Sequence, residues 1–293
     1  MLGVSGTARW MTHARAAETL RADRLFADPL AIALLERTEP EVLTRLRENP
    51  TPRFDVIAVR TRFFDEYLRR ASAQPDRRQV VILAAGFDTR AFRLDWLPDT
   101  TVYEVDLPEV VDLKESFLAE CAPPERSCHR VAIPADLTKD WTARLRAAGF
   151  DPERPTAWLV EGLLYYLTEV EAETLVRQIH TLSAAGSTLA LEHVNPDTYR
   201  APWLKDWLRE MGEGGRPWQS GLAEPEAWLS ALGWDARVHE PSDLAIARRR
   251  WVPRTPPRDV PGVMRTWLVV AGRRPAPATR ETATATTTRK EPQ

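Results

Sequence analysis

From residue 79 onward, short apolar runs rich in β-branched residues recur with helical stretches between them. The runs are QVVILAA (79–85), TVYEVD (101–106), SCHRVAI (127–133), TAWLVEG (156–162) and STLALEHV (187–194). Helical patterns fill 107–121, 139–148 and 169–184. Strand alternating with helix dictates parallel strands joined by crossover helices. Near-continuous apolar strands belong in a sheet covered on both faces. The expected fold class is therefore α/β, a doubly wound and mostly parallel sheet. DARVHE (235–240) and TWLVVAGR (266–273) read as two closing strands.

The sheet has a helical prologue. Residues 12–22 and 28–37 read as short helices, with Asp28 as N-cap and Pro29 in the first turn of the second. A clearer helix covers 53–71, where Phe54, Ile57, Ala58, Phe64 and Leu68 fall largely on one face. After 195 the rhythm loosens into WLKDWLREMGEGG, a helix ending at glycines, and EPEAWLSALGW. The expected organisation is one domain over 1–274. It comprises a helical cap (1–75), a ligand-binding core (76–194), a lid insertion (195–230) and closing strands (231–274). The Thr/Ala/Pro-rich tail 275–293 lacks large apolar residues and is expected to be disordered.

Composition narrows the function classes. A net charge of -2 gives no general electrostatic reason to expect nucleic acid. Cys121 and Cys128 match no zinc or redox spacing, and a reducing cytoplasm is the natural setting. The N-terminus lacks the apolar core of a signal peptide, and no stretch is apolar enough to span a membrane. His13, His129, His180, His193 and His239 form no metal-binding spacing, so no metal is expected. The absence of G-x-S-x-G and GxxxxGK[ST] removes the hydrolase and P-loop readings. Arg248, Arg249 and Arg250 read as a solvated helix end.

In a doubly wound sheet, ligands bind outside the carboxyl ends of the strands. The first such end is Ala84-Ala85-Gly86, a small-residue turn that lets a ligand approach the backbone. On its own it is equally a tight strand-to-helix connection. Asp106 ends the second strand 20 positions later, where nucleotide-binding βαβ units place an acid on the ribose hydroxyls. Glu104 shares its face, but Asp106 should reach the open end. Capping of the helix at Leu107-Pro108 is the alternative role for Asp106, and both can coexist.

VVILAAGFDTRAFRL, VYEVDLPEVVDLKE and ADLTKDWTARLRAAGFDPERPTAWLVEGLLYYLT resemble, in order, motifs of the leucine carboxyl methyltransferase-like family. ARAAETLRADRLFADPLA and AVRTRFFDEYL resemble its actinobacterial branch. The resemblance runs over roughly 4–195 and more loosely to 273. It implies a class I methyltransferase (Rossmann-like) sheet with a C-terminal antiparallel strand, and S-adenosylmethionine as methyl donor. It also implies that Gly86 lines the donor's methionine part, that Asp106 with Leu107 holds the ribose, and that Asp136 and Leu137 flank the adenine. Glu161 would lie beside the donor's amino-acid end. Arg60 would pair with the donor carboxylate, a role suited to a planar guanidinium. Arg62 and Arg90 are its rivals, otherwise explained by a solvated helix face or a structural ion pair. Many family members have glycine where this chain has Ala84.

The acceptor side is less legible. Trp10, Trp203, Trp207 and Trp218 lie in the cap and the insertion, with Tyr165 and Tyr166 after the fourth strand. The expectation is that Trp10, Trp203 and Tyr166 touch a flat acceptor, although aromatic residues also simply pack a lid. Tyr165 and His193 are the candidate catalytic groups. A histidine there can take a proton from a hydroxyl acceptor, or else is a hydrogen-bonded structural residue. The expected activity is methyl transfer to a small-molecule acceptor, a secondary metabolite. It would be O-methylation of a carboxylate or hydroxyl, or C- or N-methylation of an aromatic. Protein carboxyl methylation is the runner-up. An NAD(P)-dependent dehydrogenase and a non-catalytic donor-binding protein are the alternatives of another class. Oligomeric state leaves no signal in the sequence.

Overall fold

Every predicted strand is present in the computed structural model, which describes residues 6–49, 54–121, 123–215 and 217–274. The strands are β1 (Gln79–Leu83), β2 (Thr101–Asp106), β3 (His129–Pro134), β4 (Thr156–Val160), β5 (Thr188–Val194), β6 (Trp234–His239) and β7 (Thr266–Arg273). They form one sheet in the order β3-β2-β1-β4-β5-β7-β6. β1 to β5 run parallel, and β7 is antiparallel to both β5 and β6. The order reverses between β1 and β4, the switch point where such sheets bind ligands.

Strand periodicity sorts the core into two layers. Val81, Leu83, Tyr103, Val105, Trp158 and Val160 pack on one face. They meet Trp141 and Leu145 of α7 (Trp141–Ala147), Leu175 and Ile179 of α8 (Glu169–Thr181), and Leu229 of α10 (Pro225–Ala231). Val80, Ile82, Val102, Ala157 and Leu159 point the other way. Their partners are Phe64 and Leu68 of α4 (Asp55–Ser72), Leu34 of α2 (Pro29–Thr38), and Phe117 of α6 (Pro108–Cys121). Both faces are covered, as the apolar strands require.

The cap has its own small core. Ala14 and Ala17 of α1 (Gly6–Leu20) pack with Ala31 and Leu35 of α2, with Leu43 and Leu46 of α3 (Pro40–Glu48), and with Phe54. α3 went unread in the sequence because Glu39 closes α2 and opens α3 with no loop between them. α5 (Arg90–Arg93) is a single turn, too short to show periodicity. α9 (Lys205–Glu213) and α10 occupy the 195–230 segment. The tail from Pro275 and the first five residues of the cap lie outside the described residues.

The arginine run corrects one expectation. Arg248 and Arg249 are exposed, but the Arg250 side chain is fully buried. Arg250 Nη2 donates to Glu18 Oε1 at 2.5 Å, and Nη1 reaches Asp23 Oδ2 at 3.1 Å. Glu18 is itself buried. A guanidinium enters a core when a carboxylate meets it there, and three consecutive arginines do not reveal which one has that partner. This clasp fastens the end of α1 to the connection between β6 and β7. No helix among the described residues is long and apolar enough to cross a membrane.

Candidate active site

The carboxyl ends of β1, β2 and β4 meet at one rim. After β1 the chain turns sharply, with Ala84 at φ 52° and Gly86 at φ 46°. Both lie in the left-handed region that favours glycine. This explains why glycine suits position 84 and why alanine there is strained. A side chain at Gly86 would meet nothing within 4 Å, so the space above the turn is open.

Asp106 faces that turn. Gly86 N–H donates to Asp106 Oδ2 at 2.6 Å, and Leu107 N–H donates to Oδ1 at 2.7 Å. The carboxylate is partly exposed, and burial raises its pKa from the ordinary value against the pull of these two amides. Leu107 is 39% exposed at the rim. Glu104, two residues earlier, is buried and takes Lys114 Nζ and Arg130 Nη2, each at 2.7 Å. Of the two acids, only Asp106 reaches open space.

Asp136 and Leu137 follow β3. Ala135 N–H donates to the Asp106 carbonyl at 2.7 Å, which sets this loop beside the end of β2. The Asp136 carboxylate accepts from the Thr138 hydroxyl at 2.7 Å and from the Thr138 N–H at 2.9 Å, and these bonds lower its pKa. Leu137 is half-buried against the sheet core.

At the end of β4 lies a buried charge cluster. Arg60 of α4 donates from Nη1 to both Glu192 oxygens, at 2.9 and 3.0 Å. Its Nε lies 2.9 Å from Glu161 Oε1 in a geometry too bent for a hydrogen bond. Glu161 also meets Arg90 Nη1 at 2.8 Å. Arg90 continues to Asp65 at 2.7 Å and to Asp88, and Arg93 pairs with Asp65 at 2.5 Å. Burial pushes the Asp65 carboxyl up, but Arg93 and Arg90 together outweigh it and hold the pKa down at about 2. Burial pushes Glu192 up from its ordinary value, opposed by the Arg60 charge. Arg60 is thus already paired with two carboxylates of the protein. Of its rivals, Arg90 belongs to the cluster, while Arg62 lies apart, bonded to Glu66 and to the Leu25 carbonyl.

The cap reaches this rim through residues that sequence reasoning missed. Met11 Sδ is 2.8 Å from Arg60 Nη2. Arg15 donates to the Phe87 carbonyl and to buried Asp28, both at 2.8 Å. Asp28 also accepts from the Thr89 hydroxyl at 2.7 Å and caps α2 through Ala31 N–H at 3.1 Å. The only local signal was Asp28 itself, the expected cap residue, which follows Arg21 and Arg24. Trp10, one position from Met11, turns instead to Phe54 with ring centres 5.6 Å apart, away from the charge cluster.

The aromatic wall also differs from expectation. Trp203 is 71% exposed, with its ring turned largely to solvent. Trp218 stacks on Tyr165 at 4.1 Å and meets Tyr166 edge-on at 6.2 Å, with Trp207 behind it at 4.9 Å. Tyr165 and Tyr166 do sit together, 4.9 Å apart, after β4. Burial raises the Tyr165 pKa well above its ordinary value, so it keeps its proton. His193 is buried, and its Nδ1 accepts the Val194 N–H at 2.8 Å. That bond assigns the proton to Nε2. Burial lowers its pKa to about 4. The ring therefore offers no free lone pair and little basicity, which suits a structural histidine better than a general base.

The sequence model of leucine carboxyl methyltransferase matches residues 8–180, more than half of the chain. The chain belongs to the leucine carboxyl methyltransferase family. A relative in Parafrankia sp. is 42% identical over 260 residues, covering 86% of this chain and 83% of its own. One in Mycolicibacterium smegmatis is 43% identical over 262 residues, covering 83% and 87%. Both carry the name "Putative S-adenosyl-L-methionine-dependent methyltransferase". Among solved structures, a DUF574 family protein from Streptomyces avermitilis superposes with a TM-score of 0.57 at 18% identity, covering 89% of this chain and 97% of that one. The strand order and that likeness make the fold a class I methyltransferase-like α/β sheet. Membership sets aside the dehydrogenase and non-catalytic readings.

Proposed function

We propose that this family member transfers the methyl group of S-adenosylmethionine to a small-molecule acceptor, and that the acceptor atom is a carboxylate oxygen. Membership of the family supplies the donor and the reaction class. The observation that carries the donor's placement is the Asp106 carboxylate, partly exposed and facing the open space above Gly86. In this reading Asp106 and Leu107 hold the ribose, Asp136 and Leu137 flank the adenine, and Gly86 admits the methionine part. Glu161 and Arg60 receive the amino-acid end.

Charge supports the same placement. Four carboxylates of the cluster (Asp65, Asp88, Glu161, Glu192) face three guanidinium groups (Arg60, Arg90, Arg93), which leaves one negative charge. A ligand of net positive charge balances it. When bound, the donor supplies an electrophilic methyl group on a positively charged sulfur. The protein's part is to hold the acceptor in line behind that methyl and to exclude water. Tyr165, Tyr166 and Trp218 form the wall that does so. His193 and Tyr165 hold their protons where they are, so the favoured acceptor is one that is nucleophilic without deprotonation. A carboxylate meets that condition; a phenol or alcohol needs a base.

Calorimetry on the full chain should show binding of S-adenosylmethionine and S-adenosylhomocysteine and none of NAD. Transfer of labelled methyl to a panel of small carboxylic acids should then give base-labile esters. No donor binding overturns the donor assignment. Label found only on hydroxyls, amines or peptides overturns the acceptor assignment.

A further inference from the structure

Glu192 has no assigned part in the site, yet it bonds Arg60 and the backbone of Gly162, the residue next to Glu161. It lies on β5 one residue past Leu191, the register partner of Val160 at the end of β4. That position sets its carboxylate beside the Glu161-Gly162 turn. Gly162 N–H donates to Glu192 Oε2 at 3.1 Å, and Gly162 has φ 71°. The same carboxylate takes Arg60 Nη1 on both oxygens. Glu192 is buried, so neither contact is loosened by water. One side chain thus fixes a guanidinium from α4 and the backbone turn after β4 relative to each other, across 132 and 30 positions of sequence.

We propose that Glu192 is the positioning residue of the donor's amino-acid end: it holds Arg60 and the Glu161-Gly162 turn at the spacing that a zwitterionic α-amino acid group requires. This rests on the donor placement given above. Glu192 supplies the second counter-charge of Arg60, so Glu161, shared between Arg60 and Arg90, keeps negative charge to offer an ammonium. Glutamine at 192 keeps an oxygen for Gly162 N–H. It also removes the charge opposite Arg60 and can turn an N–H donor toward a guanidinium that also only donates. The guanidinium must then shift toward Glu161 and compete with the ammonium for it.

The test compares two ligands on the full chain. S-adenosylhomocysteine carries the amino-acid group; 5′-methylthioadenosine keeps the adenosine and lacks it. Kd values are measured for both on wild type, Glu161→Gln, Glu192→Gln and Glu192→Asp. Glu192→Gln should weaken S-adenosylhomocysteine roughly tenfold, as expected for charge-assisted hydrogen bonds, and leave 5′-methylthioadenosine within about twofold. Glu192→Asp, which keeps the charge but draws it back, should fall between, and it carries the test should the glutamine variant not fold. Equal losses for both ligands make Glu192 a support of the fold and overturn the proposal. A loss in Glu161→Gln with none in either Glu192 variant also overturns it, while the donor placement stands. No loss in any variant overturns the donor placement and this inference together.

Discussion

The two sides of the site are held by different physics. The side proposed for the donor is a lattice of buried carboxylates, guanidinium groups and backbone amides from α4, β1, β2, β4 and β5. The side proposed for the acceptor is a stack of rings, Tyr165, Tyr166, Trp218 and Trp207, contributed by one turn and one loosely built segment. Charge pairs in a low-dielectric interior fix distance and direction, and breaking one leaves an unpaired ion. Ring stacks accept substitution and shift of their members at smaller loss. A site built this way keeps one ligand constant and lets the other vary.

The sharpest test of that difference sets two acids on one face of β2 against each other. Glu104→Ala removes the carboxylate shared by the buried Lys114 and Arg130, leaving Lys114 the Asp88 carbonyl and Arg130 the half-exposed Glu115, and should lower stability by up to about 3 kcal/mol in denaturant melts. Asp106→Ala should lower donor affinity about tenfold or more and change stability far less. Equal effects of both variants on donor affinity would break the distinction between floor and binding edge.

His193 tests the acceptor side by pH. Its folded pKa of about 4 lies below the unfolded value of about 6.5, so the neutral ring favours the fold. The stability it supports is complete above pH 6.5 and falls as the pH drops from there toward 4, by an amount on the order of 3 kcal/mol. Urea melts at pH 7 and pH 4.5 should show a steeper loss in wild type than in His193→Gln. Parallel losses would free the histidine from its buried, neutral role and restore it as a candidate base.

Trp218→Ala should cost about 2 kcal/mol, since the ring is half-buried in the stack, and should reduce methyl transfer more than donor binding. Trp203→Ala should stay within about 0.5 kcal/mol and leave turnover unchanged. A reversed order would return the exposed ring to the acceptor site. The smallest effect belongs to the donor turn. Ala84→Gly relieves a left-handed alanine and should raise stability by up to about 1 kcal/mol, read as a small upward shift in Tm.

The same contrast sets what the sequence disclosed. Strand positions were legible because apolar β-branched runs carry their periodicity locally, and Asp106 because its face follows from residue parity. The partners of Arg60 were not legible. Glu161 and Glu192 lie far away in sequence, and a guanidinium destined for a ligand looks the same as one destined for a carboxylate. Trp10 and Met11 show the limit within a helix. Adjacent positions differ by about 100° in direction, so Trp10 meets Phe54 while Met11 meets Arg60, and chemistry alone does not say which neighbour faces the cluster. In the 195–230 segment no period existed to say which of its four tryptophans faces in.

The Arg250 clasp bears on how the chain is made. Glu18 leaves the ribosome early, yet its buried counter-charge lies 232 positions later. At about 5–20 residues per second, synthesis alone separates the two by some tens of seconds. Throughout that interval the carboxylate has only the Leu25 N–H and Arg21 beside it, and the end of α1 lacks its clasp. Closure over so long a loop is also intrinsically slow. The end of α1 is therefore locked late, and a nascent chain stalled before Arg250 carries a cap held to the rest by Arg15 on Phe87 and Asp28 on Thr89 but without this clasp.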